Sequence, residues 1–295
     1  MAATLQGHQV HPGGRTWKSH FPKGDLWVFG YGSLIWKPPP HYDQRVPGYI
    51  DGYVRRFWQA LGGVFQARPR RLGLRSIVYR LPYRELGMLI PANSTDHRGT
   101  PEQPGRVVTV IERTFWETLD DPLANVESES ASTGKVWGAA YHIPSSHAEE
   151  VHDYLDEREI DGYSVHYTPF YPFSEEPSKF TGDDSAPIIC MVYIGQPTNP
   201  QFLRDPAQRD PEDVAQVISA GHGQSGKGTE YLYLLEKALD GLGLGTADVH
   251  VTDLVRRVKA IEAAGEGEQE EREAEKSVQR SLAAAEAVVL DGNIE

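Results

Sequence analysis

Residues 26–38 read Leu26-Trp27-Val28-Phe29-Gly30-Tyr31-Gly32-Ser33-Leu34-Ile35-Trp36-Lys37-Pro38. The apolar run from Leu26 to Gly30 has the length and composition of a buried strand, and the glycines that close it predict a turn. Two glycines so close together let the backbone N–H groups of Tyr31, Gly32, Ser33 and Leu34 point into one space, a nest suited to a carboxylate or an oxyanion. An ordinary glycine turn fits the same spacing. A dinucleotide fingerprint does not, because the third glycine of G-x-G-x-x-G would fall on Ile35.

Working outward, residues 46–59 are rich in aromatic and β-branched side chains and predict a strand. Residues 106–111, 136–143, 164–171 and 187–194 predict further strands. Helical signals gather later. Ser146-His147-Ala148-Glu149 has the spacing of a capping box, opening a helix that carries Val151, Tyr154 and Leu155 on one face. Asp210-Pro211 opens a second helix, with Val214, Val217 and Ile218 inward and Gly221 as its stop. A third runs over about 229–239 on Leu232, Leu235 and Leu239, and a fourth uses Val251, Leu254, Val255, Val258 and Ile261. Strands first and helices mostly after favour an α+β fold, with helices against one curved sheet or barrel, over a doubly wound parallel sheet.

The 295 residues carry a formal charge of −13, 39% hydrophobic residues and one cysteine. That apolar content excludes a wholly disordered chain. Cys190 alone cannot form an intrachain disulfide, so a disulfide scaffold is excluded and a reducing, cytoplasmic setting is expected. The first residues show no apolar signal segment, and no run reaches the roughly 18–20 apolar residues that span a bilayer. The negative balance argues against a nucleic-acid partner. Charge is unevenly placed: residues 261–295 carry −7, residues 60–92 carry +5, and the remainder −11. The Ala/Glu-rich tail reads as a solvated, partly helical extension, and the Gly/Pro/His-rich residues 1–25 as a disordered head.

Residues 154–163 place four acids around Arg158 just before Gly162. Carboxylates at a helix C-terminus oppose the macrodipole, at about 0.3–1 kcal/mol each. If Leu155 faces the core, Glu159 lies one turn on, on the same face, while Asp156 and Glu157 point outward. A partly buried Glu159 would have a raised pKa and could serve as general base and acid. A solvated charged helix end fits the same residues. Other motifs lead nowhere. Residues 221–228 mimic a phosphate loop, but Gly228 stands where magnesium needs Ser or Thr, so the segment reads as a flexible connector. His147 and His152 are five apart and share no helix face, and the histidines read as scattered surface groups with no metal set. Cys190, inside an apolar run, reads as core packing rather than a nucleophile.

Residues 27–38 resemble the opening motif of the ChaC family, γ-glutamylcyclotransferases that act on glutathione. Gly52-Tyr53-Val54-Arg55-Arg56-Phe57-Trp58-Gln59 is similar to the family's next strand. Asp96-His97-Arg98-Gly99, Pro104-Gly105-Arg106, Val136-Trp137-Gly138, Tyr154-Leu155-Asp156 with Arg158-Glu159, Val192-Tyr193-Ile194-Gly195 and Glu230-Tyr231-Leu232 follow in order. The resemblance implies a small mixed β-barrel with flanking helices over residues 26–261, between a head (1–25) and a tail (262–295). It implies Glu159 as the catalytic glutamate, and Tyr31, Gly32, Ser33 and Leu34 as the loop that holds the γ-glutamyl end. Arg98 and Tyr193 match positions that line the pocket. The substrate implied is glutathione, converted to 5-oxoproline and Cys-Gly without metal or other cofactor. A cyclotransferase for other γ-glutamyl peptides or amines, and a catalytically silent binding member of the fold, are the alternatives.

Two stretches depart from the family pattern. The basic block 60–92 interrupts it, and both a surface loop and a translated intron fit that block. Residues 112–134 form an acidic expansion expected to be a hairpin loop.

Overall fold

In a computed structural model of the chain, residues 8–9, 15–61, 99–100, 105–124, 134–159, 163–173, 187–223, 225–243 and 247–291 are described. The strands are β1 (His8–Gln9), β2 (Leu26–Gly30), β3 (Gln44–Asp51), β4 (Tyr53–Leu61), β5 (Gly105–Glu112), β6 (Lys135–Ile143), β7 (Ser164–Pro172), β8 (Ile188–Ile194), β9 (His222–Gly223) and β10 (Gly226–Lys227). The helices are α1 (Arg113–Trp116), α2 (Ala148–Arg158), α3 (Pro206–Arg209), α4 (Pro211–Ala220), α5 (Gly228–Asp240) and α6 (Val249–Asp291).

The main sheet runs β1-β7-β3-β6-β2-β8, and β8 returns to pair with β7. Strands β7, β3, β6, β2 and β8 therefore close a five-stranded mixed barrel, which leaves none of the five with an open edge. The β2–β8 pair is parallel, with Val28 opposite Met191, and the other pairs are antiparallel. This is the α+β barrel expected from the sequence. Its strands bury Leu26, Val28, Ala139, Tyr141 and Met191 on one face of the barrel wall and Phe29, Ile50, Phe170 and Val192 on the other. Helices α2, α4, α5 and the first turns of α6 bury Val151, Leu155, Val214, Ile218, Leu232, Leu235, Leu254 and Val258 in the same core.

Residues 46–59 form two strands instead of the single one expected. Gly52 breaks them with φ of +82°, a left-handed conformation that costs glycine little. Beyond it β4 leaves the barrel and pairs with β5 as a separate two-stranded sheet. That sheet covers a smaller cluster of Val54, Trp58, Ile111, Trp116, Phe202 and Leu203. Because β5 pairs with β4 while β6 pairs with β2 and β3, residues 112–134 cross between sheets and do not close a hairpin. Their described part begins with the helical turn α1.

Three further expectations are corrected. The α2 helix starts on His147 with no side-chain cap hydrogen bond, so the capping box at Ser146 does not form. The supposed connector after Gly221 contains the antiparallel pair β9–β10. Residues 15–25, assigned to the head, include a 3-10 turn (Arg15–Ser19) and bury Trp17 and Phe21 in the core. Asp210 caps α4 as expected, its carboxylate accepting from the Glu212 N–H at 2.8 Å. The α6 helix continues 43 residues, through the tail to Asp291. Beyond Ile261 its described side chains are exposed. The basic block lies outside the described residues, apart from the end of β4.

Candidate active site

The parallel pairing of β2 with β8 brings the C-terminal ends of both strands to one mouth of the barrel. Tyr31 follows the end of β2 and Tyr193 lies near the end of β8. The Tyr31 hydroxyl donates to the Tyr193 carbonyl at 2.7 Å. At the same level Thr109 of β5 donates to the Gly195 carbonyl at 3.1 Å and accepts from the Gly195 N–H at 3.1 Å. Burial pushes the Tyr31 phenol far above its ordinary pKa, and the charge of Glu159 acts in the same direction; Thr109 and Arg55 oppose both. Tyr31 is thus a neutral phenol, close enough to feel Glu159.

The turn after β2 is a short 3-10 helix, Ser33–Ile35, entered through Gly32. Gly32 is there for space: a Cβ would sit 2.8 Å from Val108 Cγ1 and 3.1 Å from the Tyr231 hydroxyl. Leu34 is buried in the core, and Ser33 is half-buried.

Glu159 is the C-cap residue of α2, its N–H donating to the Leu155 carbonyl at 2.8 Å. Its side chain is 16% exposed, and Arg158 Nε lies 3.5 Å from Oε1. The same guanidinium donates through Nη2 to Ser33 Oγ at 3.0 Å and through Nη1 to the Lys37 carbonyl at 3.0 Å. Arg158 therefore ties the 31–34 loop to the end of α2 while standing beside Glu159.

Asp156 does not point outward. Its carboxylate accepts from the Tyr193 hydroxyl at 2.7 Å and lies 3.5 Å from His152 Nδ1. Burial raises the Asp156 pKa, opposed by Tyr193 and His152. His152 is itself buried and stacked on Trp17, with ring centroids 5.5 Å apart. The histidines are thus not all surface groups: His152, His166 and His250 are buried. Cys190 is fully buried, and burial pushes its thiol well above the ordinary value, which suits the core role expected of it.

The structure therefore gathers Tyr31, Gly32, Ser33, Tyr193 and Glu159 at one mouth, with Leu34 turned into the core beneath it. Arg98 lies outside the described residues. Sequence reasoning missed Arg158, Asp156, Thr109 and Arg55. The family-like blocks contain Asp156, Arg158 and Arg55 without assigning them a role, and the His152/Asp156 spacing of four was a further local signal. The partners of Arg55 are distant in sequence: it donates to Asp248 Oδ2 at 2.6 Å and to the Trp137 carbonyl.

A profile of the family described as ChaC-like protein matches residues 26–65 and 89–261. The chain belongs to the ChaC-like family. The unmatched residues 66–88 of this ChaC-like chain fall inside the basic block. The glutathione-specific γ-glutamylcyclotransferase of Schizosaccharomyces pombe is 37% identical over 244 residues, covering 82% of this chain and 96% of that protein. Its namesake in Saccharomyces cerevisiae is 33% identical, covering 77% and 91%. A selenomethionine-labelled crystal structure of the glutathione-specific enzyme from yeast matches with a TM-score of 0.60 at 32% identity, covering 80% of this chain and 96% of that one.

Proposed function

We propose that this ChaC-like chain is a lyase that cleaves glutathione to 5-oxoproline and Cys-Gly, with Glu159 as the proton-transfer group. The observation that carries this reading is a carboxylate held 16% exposed at a barrel mouth, fixed by Arg158 to the 31–34 loop. The substrate assignment rests on the names of relatives that match across most of both chains.

The reaction is internal to the substrate. The α-amino nitrogen attacks the γ-carbonyl carbon, a C–N bond forms, and the bond to the cysteine nitrogen breaks. The proton lost by the amine balances the proton gained by the departing nitrogen, so no water is consumed. Glu159 takes that proton and returns it, a role that needs one carboxylate within hydrogen-bond reach of both nitrogens. The rest of the site holds a cyclisable conformer, where good orientation contributes several kcal/mol. Residues 31–34 take the γ-glutamyl end. The first N–H groups of their 3-10 turn have no acceptor within it and can face the developing oxyanion. Tyr31 and Tyr193 spend their phenols on internal partners and form the wall of the site. Arg98, matched through the family motif alone, is assigned the positive charge that an anionic substrate needs in an acidic body.

The test is product identity. Incubation with glutathione is expected to yield 5-oxoproline and Cys-Gly in equal amounts, with γ-Glu-Ala a poor substrate. Glutamate in place of 5-oxoproline would mean hydrolysis and would refute the cyclisation. Equal turnover of γ-Glu-Ala would refute the specificity.

A further inference from the structure

Outside the mouth, His41, His147 and Glu150 bring three ligand atoms within 4.8 Å of one another. Glu150 is the junction: Oε1 lies 3.6 Å from His41 Nε2, and Oε2 lies 3.3 Å from His147 Nδ1. The two imidazoles lie nearly parallel, centroids 4.2 Å apart and planes inclined by 7°. We propose that these three side chains form a site for a divalent transition-metal ion of the zinc class.

The distances suit such an ion. A tetrahedral zinc with nitrogen and oxygen ligands at about 2.0–2.2 Å spaces neighbouring ligand atoms about 3.4 Å apart. Each imidazole nitrogen lies near that distance from a different oxygen of Glu150, and because the in-plane lone pairs of parallel rings do not converge, the two partly exposed imidazoles must tilt out of their stack to share an ion. Two neutral imidazoles and one carboxylate are a donor set that zinc prefers, and they leave a fourth position for water.

The local structure shows what prepares the set. His147 is the N-cap residue of α2 and Glu150 stands three residues on, the spacing of a capping box. Yet His147 makes no side-chain hydrogen bond to the helix start. Its ring nitrogen faces the Glu150 carboxylate and its plane faces His41. His41 follows Pro38, Pro39 and Pro40 and adopts φ of +59°, the one non-glycine residue at positive φ among those described. A left-handed conformation is disfavoured for a residue with a Cβ, although histidine is among those that tolerate it. Here it turns the imidazole onto a helix more than a hundred residues away in sequence. The sequence hid this set, because its members are far apart and only the His147/Glu150 pair shares an element.

The experiment uses the full chain, freed of metal with a chelator and handled without thiols, which themselves bind zinc. Zinc chloride is titrated calorimetrically, and cobalt(II) chloride by the intensity of its visible absorption, which separates four- from six-coordination. One equivalent is expected to bind, with a raised Tm, because an ion that binds only the folded chain stabilises it. His41→Ala and His147→Ala are each expected to abolish that equivalent, and Glu150→Gln to weaken it about tenfold or more. His222→Ala, at an exposed histidine on β9, is expected to leave it unchanged. Circular dichroism and metal-free Tm confirm that each variant is folded. Absence of saturable one-equivalent binding by the unaltered chain, or binding that survives loss of both His41 and His147, would overturn the proposal.

Discussion

One guanidinium organises the mouth. Arg158 reaches Ser33 Oγ, the Lys37 carbonyl and the Glu159 carboxylate from a side chain 9% exposed. Its planar fork allows those directions together, which an ammonium at a single point cannot reproduce. Arg158→Ala is therefore expected to lower kcat/KM for glutathione by about a hundredfold, the scale of a misplacement near 1 Å. Arg158→Lys should recover little of the loss. Steady-state kinetics on folded variants checks this, and near-normal activity in the lysine variant would show that charge alone is what Arg158 supplies. Sequence reasoning placed Glu159 but sent Asp156 outward. Helix periodicity alone did not show that Tyr193 comes from β8 to meet Asp156. That partner is set by barrel closure, which no local pattern encodes.

At the scale of the element, the start of α6 is seated on a defect in β4. The β4–β5 register shifts between Arg56 and Gln59. There the Phe57 N–H donates to Nε2 of His250, on the first turn of α6, at 3.0 Å. His250 is 2% exposed, and burial, with Arg56 and Arg55 nearby, holds its pKa well below the ordinary value. The sign follows. Below about pH 6.5 the unfolded chain binds a proton at this residue that the folded chain refuses, so stability falls as the pH drops, by at most about 1.4 kcal/mol per pH unit. His250→Gln keeps an acceptor for Phe57 and does not titrate. Urea unfolding between pH 7 and 5 is expected to show a shallower decline in this variant, whereas an unchanged slope would contradict the assignment. Element positions were legible where a pattern is local: β2, α4 and the apolar face of α5 lie close to where their residues predict. Gly52 was not read as a break, since its left-handed turn is required by the choice of two sheets, which is a tertiary matter.

For the whole molecule, the net charge of −13 separates into parts with different consequences. The tail contributes −7, and its described side chains after Ile261 are exposed although the backbone stays helical. Exposed groups away from caps and core contribute little to stability. A chain ended after Glu268 is therefore expected to keep the turnover and Tm of the full chain, measured by product release and thermal unfolding. A clear loss of either would show that the tail contributes to the fold or the site. The α+β barrel was legible because strand-like runs precede helix-like ones and because residues 27–38 resemble a family motif. The β4–β5 sheet was not, because strands pairing outside the barrel look the same in sequence as strands within it. In the proposed reaction Glu159 is the group that moves the proton. Glu159→Gln removes the charge while nearly preserving volume, so folding and glutathione binding should persist. The direct measurement is the rate of 5-oxoproline release from glutathione by this variant beside the unaltered chain. The rate is expected to fall to background at equal Tm, and retained turnover would contradict the claim.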